Sequence, residues 1–272
     1  MKVDFIIIGG QKCGTTALFK FLTSHPKIFG SEPKELDFFN YEERFSKGIK
    51  NYHSKFPNIG LYKRISGYKL IEASPTYLTD NDVELTAKRI YRYNKKVKII
   101  AILRDPVDRA YSAWNMYKER YESGMVDWWY KWMENRTGHY PQAISRKDDD
   151  FNSFINFIKN EIEAIEKGTA IEGEILSKGK YSKGIEVFKN QFKDNFHVVK
   201  NEELNNNTIN ELEEISNFLG IPDYDWSRFK DTKIFKGNYP PNKEDQSVKI
   251  LNNFYKESNE ELFSLTGIDY RK

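Results

Sequence analysis

A turn near the amino terminus combines a lysine, a glycine and two threonines in a pattern typical of phosphate-binding loops. It follows the apolar run Ile6-Ile7-Ile8 and leads into a helical pattern. Backbone N–H groups of such a turn and the positive end of the helix dipole would face one point and favour an anion there. The threonines could instead only cap the helix. The pattern predicts phosphate binding by Gln11, Lys12, Cys13, Gly14, Thr15 and Thr16.

The order of residues in this turn differs from that of nucleoside-triphosphatase loops. In those loops, written G-x-x-x-x-G-K-[ST], the lysine follows the second glycine. Here Lys12 precedes Gly14, so the turn has no Gly-Lys-Ser or Gly-Lys-Thr triplet. The turn can still enclose a phosphate, but Lys12 would approach it from the other side.

A second set of candidate residues follows another predicted strand. The run Val97–Leu103 ends directly before Arg104, Pro106 stands where a helix can begin, and Ser112 lies eight residues after Arg104. A guanidinium and a hydroxyl that converge on one phosphate would supply charge-assisted and ordinary hydrogen bonds. The alternative is a structural turn in which Arg104 pairs with a carboxylate.

Together the two segments resemble the sulfotransferases that use 3′-phosphoadenosine 5′-phosphosulfate (PAPS), above all the glycan-modifying branch: heparan sulfate N- and O-sulfotransferases and their bacterial relatives. The resemblance runs from Asp4 to about Asp269. It implies that the first loop binds the 5′-phosphosulfate, that Arg104 and Ser112 bind the 3′-phosphate, and that 3′,5′-adenosine bisphosphate is the product. No metal ion is implied. A cation beside the bridging oxygen stabilises the charge that develops on the leaving group, and Lys12 has the matching position.

The segment between the two signatures carries the predicted base. Its Glu-x-x-Phe-Phe pattern, residues 35–39, resembles the glycan sulfotransferases, in which this glutamate is the proposed base. A carboxylate within hydrogen-bond reach can take the proton that an acceptor hydroxyl or amine loses as it attacks sulfur. The resemblance therefore implies that Glu35 is catalytic. His25 and His53 are the rival bases, and a surface or capping carboxylate is the structural alternative for Glu35.

Further counterparts of the family lie in the second half of the chain. Tyr181 and the loop Lys236-Gly237-Asn238 match nucleotide-binding positions, but Asn238 stands where the relatives carry an arginine. Ala73 stands where glycosaminoglycan sulfotransferases tend to carry a lysine. This second departure and the absence of the cysteine pair that many of those enzymes place near the C-terminal loop weaken heparan sulfate as the acceptor. The resemblance implies a small-molecule or glycan acceptor, sulfated on a hydroxyl or, less readily, on an amine.

These residues need a scaffold that brings strand ends together. Apolar, β-rich runs recur at Phe5–Ile8, Tyr68–Ile71, Val97–Leu103 and Phe196–Val199, with helical patterns between them. That alternation predicts a single α/β domain over residues 1–272, with a central parallel sheet flanked by helices, and the resemblance relates it to P-loop folds. The helical patterns cover Thr15–Thr23, Asp82–Tyr93, Val107–Arg120, Phe151–Lys167, Ser182–Phe192, Thr208–Leu219 and Glu244–Leu265.

Composition restricts the class of protein and its partners. Of the 272 residues, 39% are hydrophobic, enough for a substantial core. The formal net charge of +3 is too small to indicate a sequence-independent nucleic-acid surface. Cys13 is the only cysteine, which excludes an intramolecular disulfide framework and a zinc site of several thiolates. With no targeting signal and no apolar run of about 18 residues, we expect a cytoplasmic protein without stable membrane insertion.

Two other functions remain open. A P-loop kinase with ATP and Mg²⁺ would use Asp105, at a strand end, to hold the metal. A non-catalytic glycan-binding module would use the aromatic cluster Trp128–Trp132, whose rings could form a wall for a ligand. Core packing is the alternative role for that cluster. We favour in-line sulfuryl transfer from PAPS to a carbohydrate hydroxyl, with Glu35 as base.

Overall fold

A five-stranded parallel sheet positions the loops identified above. The computed structural model describes residues 2–60, 65–230, 232 and 243–272. The strand order is β2-β3-β1-β4-β5, with all neighbours parallel. This confirms the predicted α/β class, with its parallel sheet and flanking helices. The strands are β1 (Phe5–Ile7), β2 (Ile28–Gly30), β3 (Lys69–Ala73), β4 (Lys98–Leu103) and β5 (Phe196–Lys200).

Helices occupy most of the intervening chain, and four short 3₁₀ turns are also described, at Pro75–Tyr77, Ser177–Gly179, Lys193–Asn195 and Ser227–Phe229. The α-helices of the described residues are α1 (Thr15–Thr23), α2 (Glu42–Phe45), α3 (Gly48–His53), α4 (Val83–Tyr93), α5 (Pro106–Glu122), α6 (Trp128–Thr137), α7 (Asp148–Asn152), α8 (Phe154–Glu166), α9 (Ser182–Phe192), α10 (Asn201–Asn206), α11 (Thr208–Leu219) and α12 (Asp245–Thr266). None of these helices is both long and apolar enough to cross a membrane.

The chain divides into two compact units, each with its own core. The first comprises residues 1–104 and 183–236 and contains the whole sheet. Its core joins the buried faces of β1, β3 and β4 to α1, α11 and Trp226. The second comprises residues 105–182 and 237–272, and α5, α8 and α12 contribute its buried aromatic and aliphatic side chains. The expected single domain over residues 1–272 stays a prediction.

Several elements differ from the expectations, among them one predicted helix and one short strand. The predicted helix Phe151–Lys167 is two helices, because Ser153 has an extended backbone and its Oγ accepts the amide hydrogen of Asn156, which caps α8. Strand β2 was not predicted, since three residues are too few for a period-2 pattern. Its pairing with β3, Ile28 opposite Lys69, decides its conformation.

The chain connections diverge between β1 and β4, which defines the divergence point of the sheet. The chain leaves β1 toward β2 and β3 on one side, whereas it leaves β4 toward β5 on the other side. Ligands of open parallel sheets bind outside the carboxyl ends of strands where the connections diverge in this way. The β1–α1 loop and Arg104 follow the carboxyl ends of these two adjacent strands.

Candidate active site

The loop from Gly9 to Gly14 joins β1 to α1 through two residues with left-handed backbone. Lys12 has φ +66° and Gly14 has φ +96°. At Gly9 a Cβ would lie 2.4 Å from the carbonyl oxygen of Ile102, so only glycine permits this close approach to β4. The loop is therefore held against the strand that leads to Arg104.

The amino-terminal end of α1 has the properties of an anion site. Its N-cap residue is Gly14, which has no side chain to bond the first amides, and the first turn contains no acidic residue. The helix dipole and the uncapped amides favour a negative group there. Neither threonine therefore acts as the N-cap residue, and Thr15 Oγ1 instead accepts a hydrogen bond of 3.4 Å from Lys34 Nζ. These residues fit a phosphate or phosphosulfate group.

The side chain of Arg104 reaches the same loop. Its Nη1 lies 3.5 Å from the carbonyl oxygen of Lys12, a long hydrogen bond. Two predicted site residues that are 92 positions apart in the chain are thereby brought together. This contact lies at the divergence point of the sheet.

The other predicted nucleotide-binding residues belong to the second unit or lie outside the described residues. Ser112 is buried on α5, and Tyr181 is buried directly before α9. Convergence of Ser112 with Arg104 on one phosphate stays a prediction, as does the role of Tyr181. The predicted contacts at Lys236, Gly237 and Asn238 lie outside the described residues.

Glu35 follows the carboxyl end of β2, and the β1–α1 loop follows the carboxyl end of β1 in the same parallel sheet. Its side chain is 36% exposed, and its Oε1 lies 2.8 Å from Lys34 Nζ. Since Lys34 also donates to Thr15, this lysine connects the predicted base to the start of α1. Sequence reasoning did not single out Lys34. Its position beside Glu35, in a segment between two phosphate signatures, was the available signal.

The two rival bases are engaged in structural contacts. His25 is buried, receives a hydrogen bond from the amide of Lys27 at its Nδ1, and has its Nε2 3.3 Å from the carbonyl oxygen of Pro222. His53 Nε2 lies 3.0 Å from the hydroxyl of Tyr93. Burial lowers the pKa of both imidazoles. These contacts support a structural role for His25.

Asp105, the residue that a kinase would use for metal, caps α5. Its Oδ1 accepts the amide hydrogens of Val107 and Asp108 at 2.9 and 3.1 Å. Its Oδ2 lies 2.5 Å from the ammonium group of Lys272. Within the described ranges no group of three or more histidine, cysteine and acidic side chains is placed to share a metal ion.

The aromatic cluster Trp128–Trp132 packs within the second unit. Trp129 and Tyr130 are buried in its core, and the guanidinium of Arg120 lies 3.9 Å from the ring centroid of Trp128. The guanidinium of Arg136 covers Trp132 at the same distance. These contacts support the packing role of the cluster.

A cavity of about 580 Å³ adjoins the segment that follows Glu35. Its walls are mostly apolar and aromatic but include two arginines, and none of the predicted catalytic or nucleotide-binding residues lines it. It is therefore separate from the Lys12 loop. Its walls are Phe38, Phe39, Phe45, Gly48, Ile49, Leu85, Arg89, Arg92 and Tyr93.

Comparison with known proteins provides independent findings. A family model described as a sulfotransferase domain matches residues 2–260. A mouse heparan sulfate glucosamine 3-O-sulfotransferase 5 is 36% identical over 114 residues, which cover 42% of this chain and 30% of that protein. A mouse bifunctional heparan sulfate N-deacetylase/N-sulfotransferase 4 is 39% identical over 123 residues, 43% of this chain and 13% of that protein. The matches thus span less than a third of these relatives' own length.

A solved structure has the same fold along the whole chain. The sulfotransferase from Alicyclobacillus acidocaldarius superposes with a TM-score of 0.64 and covers 99% of this chain and 97% of its own. The two sequences are 23% identical, so the likeness concerns the fold.

Proposed function

The chain belongs to the sulfotransferase domain family, and we propose that it transfers a sulfuryl group from PAPS to a hydroxyl group of a carbohydrate. The family uses PAPS as donor. The observation that carries the proposal is the contact between Arg104 and the uncapped β1–α1 loop at the divergence point of the sheet. A carbohydrate acceptor is supported by the names of the heparan sulfate relatives and by the Glu-x-x-Phe-Phe segment.

The β1–α1 loop would bind the 5′-phosphosulfate. Backbone N–H groups at the start of α1 and the hydroxyls of Thr15 and Thr16 supply donors, and Gln11 and Cys13 complete the loop. Lys12 would lie beside the bridging oxygen and stabilise the negative charge that develops as the S–O bond breaks. Arg104 and Ser112 would bind the 3′-phosphate, with Tyr181 and the 236–238 loop as further contacts.

Glu35 would act on the acceptor. As the acceptor oxygen forms its bond to sulfur in line with the leaving group, the Glu35 carboxylate takes the hydroxyl proton. Lys34, which lies beside both Glu35 and Thr15, would hold the carboxylate close to the phosphosulfate loop. The products are the sulfated acceptor and 3′,5′-adenosine bisphosphate, and no step requires a metal ion.

The decisive experiment measures release of 3′,5′-adenosine bisphosphate from PAPS in the presence of a panel of carbohydrate, phenolic and amine acceptors. We expect turnover with a carbohydrate hydroxyl, and the same rate with excess EDTA. Loss of turnover on chelation, or ATP as the productive donor, would support the kinase alternative.

Two variants separate the proposed roles. Lys12→Ala should lower kcat by about two to three orders of magnitude, because it removes charge stabilisation in the transition state. Glu35→Gln should also abolish most turnover, yet leave the Kd for 3′,5′-adenosine bisphosphate unchanged by calorimetry. Equal loss of kcat and nucleotide affinity in Glu35→Gln contradicts its role as base.

A further inference from the structure

A buried carboxylate lies on β3, the strand next to the central strand β1. Glu72 on β3 is fully buried, and no salt bridge to it is present in the part of the chain that the structure describes. Burial raises its pKa from 4.5 to about 7. Such a group is costly to bury unless hydrogen bonds satisfy it.

Three hydroxyl groups donate to this carboxylate. Ser74 Oγ and the Tyr77 hydroxyl donate to Oε1 at 2.8 and 2.7 Å. The Tyr52 hydroxyl donates to Oε2 at 2.5 Å. The two carboxylate oxygens thus have different partners, and this difference provides a test.

The hydroxyls on Oε1 also hold the backbone that follows Glu35. Ser74 Oγ accepts the amide hydrogen of Asp37 at 3.0 Å. The Tyr77 hydroxyl accepts those of Phe38 and Phe39 at 2.8 and 3.3 Å. A hydroxyl has a single proton, so donation to Glu72 leaves its lone pairs for the amides. The buried carboxylate therefore orients both hydroxyls as acceptors for three consecutive amides.

The held segment has a backbone that needs such support. Asp37 adopts φ +47°, which is uncommon for a residue with a side chain. Its carboxylate is itself fixed by Thr76 Oγ1 at 2.6 Å and by Arg44 Nη1 at 3.7 Å. Glu35 lies two residues before Asp37, and its side chain is partly exposed. The position of its carboxylate therefore depends on the anchored residues that follow it.

We propose that Glu72 is a positioning residue that, through Ser74 and Tyr77, holds residues 37–39 and thereby sets where the Glu35 carboxylate meets the acceptor. The inference rests on the proposed role of Glu35 as base. It adds a residue that touches neither donor nor acceptor.

The chain offers a matched pair of variants. Tyr77→Phe and Tyr52→Phe each remove one buried hydroxyl that donates to Glu72, but only the Tyr77 hydroxyl reaches the amides after Glu35. We expect Tyr77→Phe to lower kcat at least about tenfold, since small displacements of a reacting group are costly. Tyr52→Phe should keep kcat within about twofold. In both variants, the Kd for 3′,5′-adenosine bisphosphate should stay unchanged.

Substitutions of Glu72 itself supply the second comparison. In Glu72→Gln the amide oxygen can replace Oε1 and accept from Ser74 and Tyr77, while the amide nitrogen donates to Tyr52. Glu72→Leu leaves both hydroxyls without this acceptor. We expect Glu72→Leu to lose kcat and Glu72→Gln to restore it. If Glu72→Leu is not recovered folded, the tyrosine pair carries the test.

Hydrogen exchange of the amides of residues 37–39 is the readout that does not depend on activity. Protection should fall in Tyr77→Phe and stay in Tyr52→Phe. Unchanged protection in Tyr77→Phe, or equal losses of kcat in the two tyrosine variants, overturns the inference. If protection falls but a parallel Glu35→Gln enzyme keeps its kcat, the base assignment fails and the catalytic part of this inference fails with it, whereas the anchoring of the segment stands.

Discussion

Single residues in the β1–α1 loop are restricted by both backbone conformation and space. Gly14 combines a left-handed φ with a direction in which a Cβ would lie 2.3 Å from Asn201 Nδ2. Gly67 has a similar φ, +85°, but open space around the position of a Cβ. Alanine substitutions at these two glycines therefore separate the cost of backbone strain from the cost of a steric clash.

Gly14→Ala should lower the free energy of unfolding by about 1–3 kcal/mol and weaken binding of 3′,5′-adenosine bisphosphate. Gly67→Ala, which carries only the strain, should cost about 1 kcal/mol and leave binding intact. Urea denaturation and calorimetry measure the two effects. Equal costs, with binding intact in both, would mean that Asn201 simply rotates away.

The buried carboxyl of Glu72 predicts a pH dependence of stability. Because burial raises its pKa from 4.5 to about 7, the folded protein keeps a proton that the unfolded chain releases over this interval. The contribution of the Glu72 carboxyl group to the free energy of unfolding should therefore fall by about 3 kcal/mol as the pH rises from about 4.5 to about 7. Above that pH the contribution should stay constant. Urea denaturation of the wild type and Glu72→Gln should show this slope in the wild type alone; parallel curves would contradict the pKa shift.

At the scale of elements, the two helices that follow β1 and β4 begin in different ways. Helix α1 begins without a side-chain cap, which leaves its first amides for an anion, whereas α5 begins with the cap Asp105. Both helices follow adjacent strands, β1 and β4. The uncapped start of α1 is the one proposed to bind the ligand, whereas the capped start of α5 stabilises its helix.

Asp105→Ala should lower the free energy of unfolding by about 1–2 kcal/mol, because two amides of α5 lose their acceptor. Asp105→Asn keeps an oxygen for the cap and loses only the charge opposite Lys272, a partner that is 55% exposed, so its cost should be smaller. Chemical denaturation checks both. Equal destabilisation would assign the main stabilising effect to the ion pair instead of the cap.

At the scale of the whole molecule, binding of the proposed nucleotide is linked to folding. A ligand that binds only the folded protein raises its stability by mass action. The proposal assigns the 3′-phosphate of this ligand to Arg104 and Ser112.

Saturation with 3′,5′-adenosine bisphosphate, at about 100 times its Kd, should raise the free energy of unfolding by about 2.7 kcal/mol. 5′-AMP at the same concentration should give much less, because it lacks the 3′-phosphate. Ser112→Ala should reduce this difference, as measured by ligand-dependent Tm. If both nucleotides protect the wild type equally, the proposed 3′-phosphate site is wrong.

Much of this protein could be predicted from local patterns. The strand–turn–helix around Gly14 and the bounds of α1, α9 and α11 follow from periodicity and turn chemistry, which act over a few residues. The family resemblance came from short motifs, and the match to residues 2–260 confirms it. Short elements such as β2 were missed because their pairing, and not their composition, forms them.

Contacts between distant residues were decided only by the tertiary structure. The strand order that brings Arg104 to Lys12, the bridge from Lys34 to Thr15, and the attachment of residues 37–39 to Glu72 all join positions far apart in the chain. A sequence pattern reports which face of an element is buried, but it does not specify which element covers that face. Pairing and burial across the whole core settle that choice, because each such contact must offset the entropy lost on closing its loop.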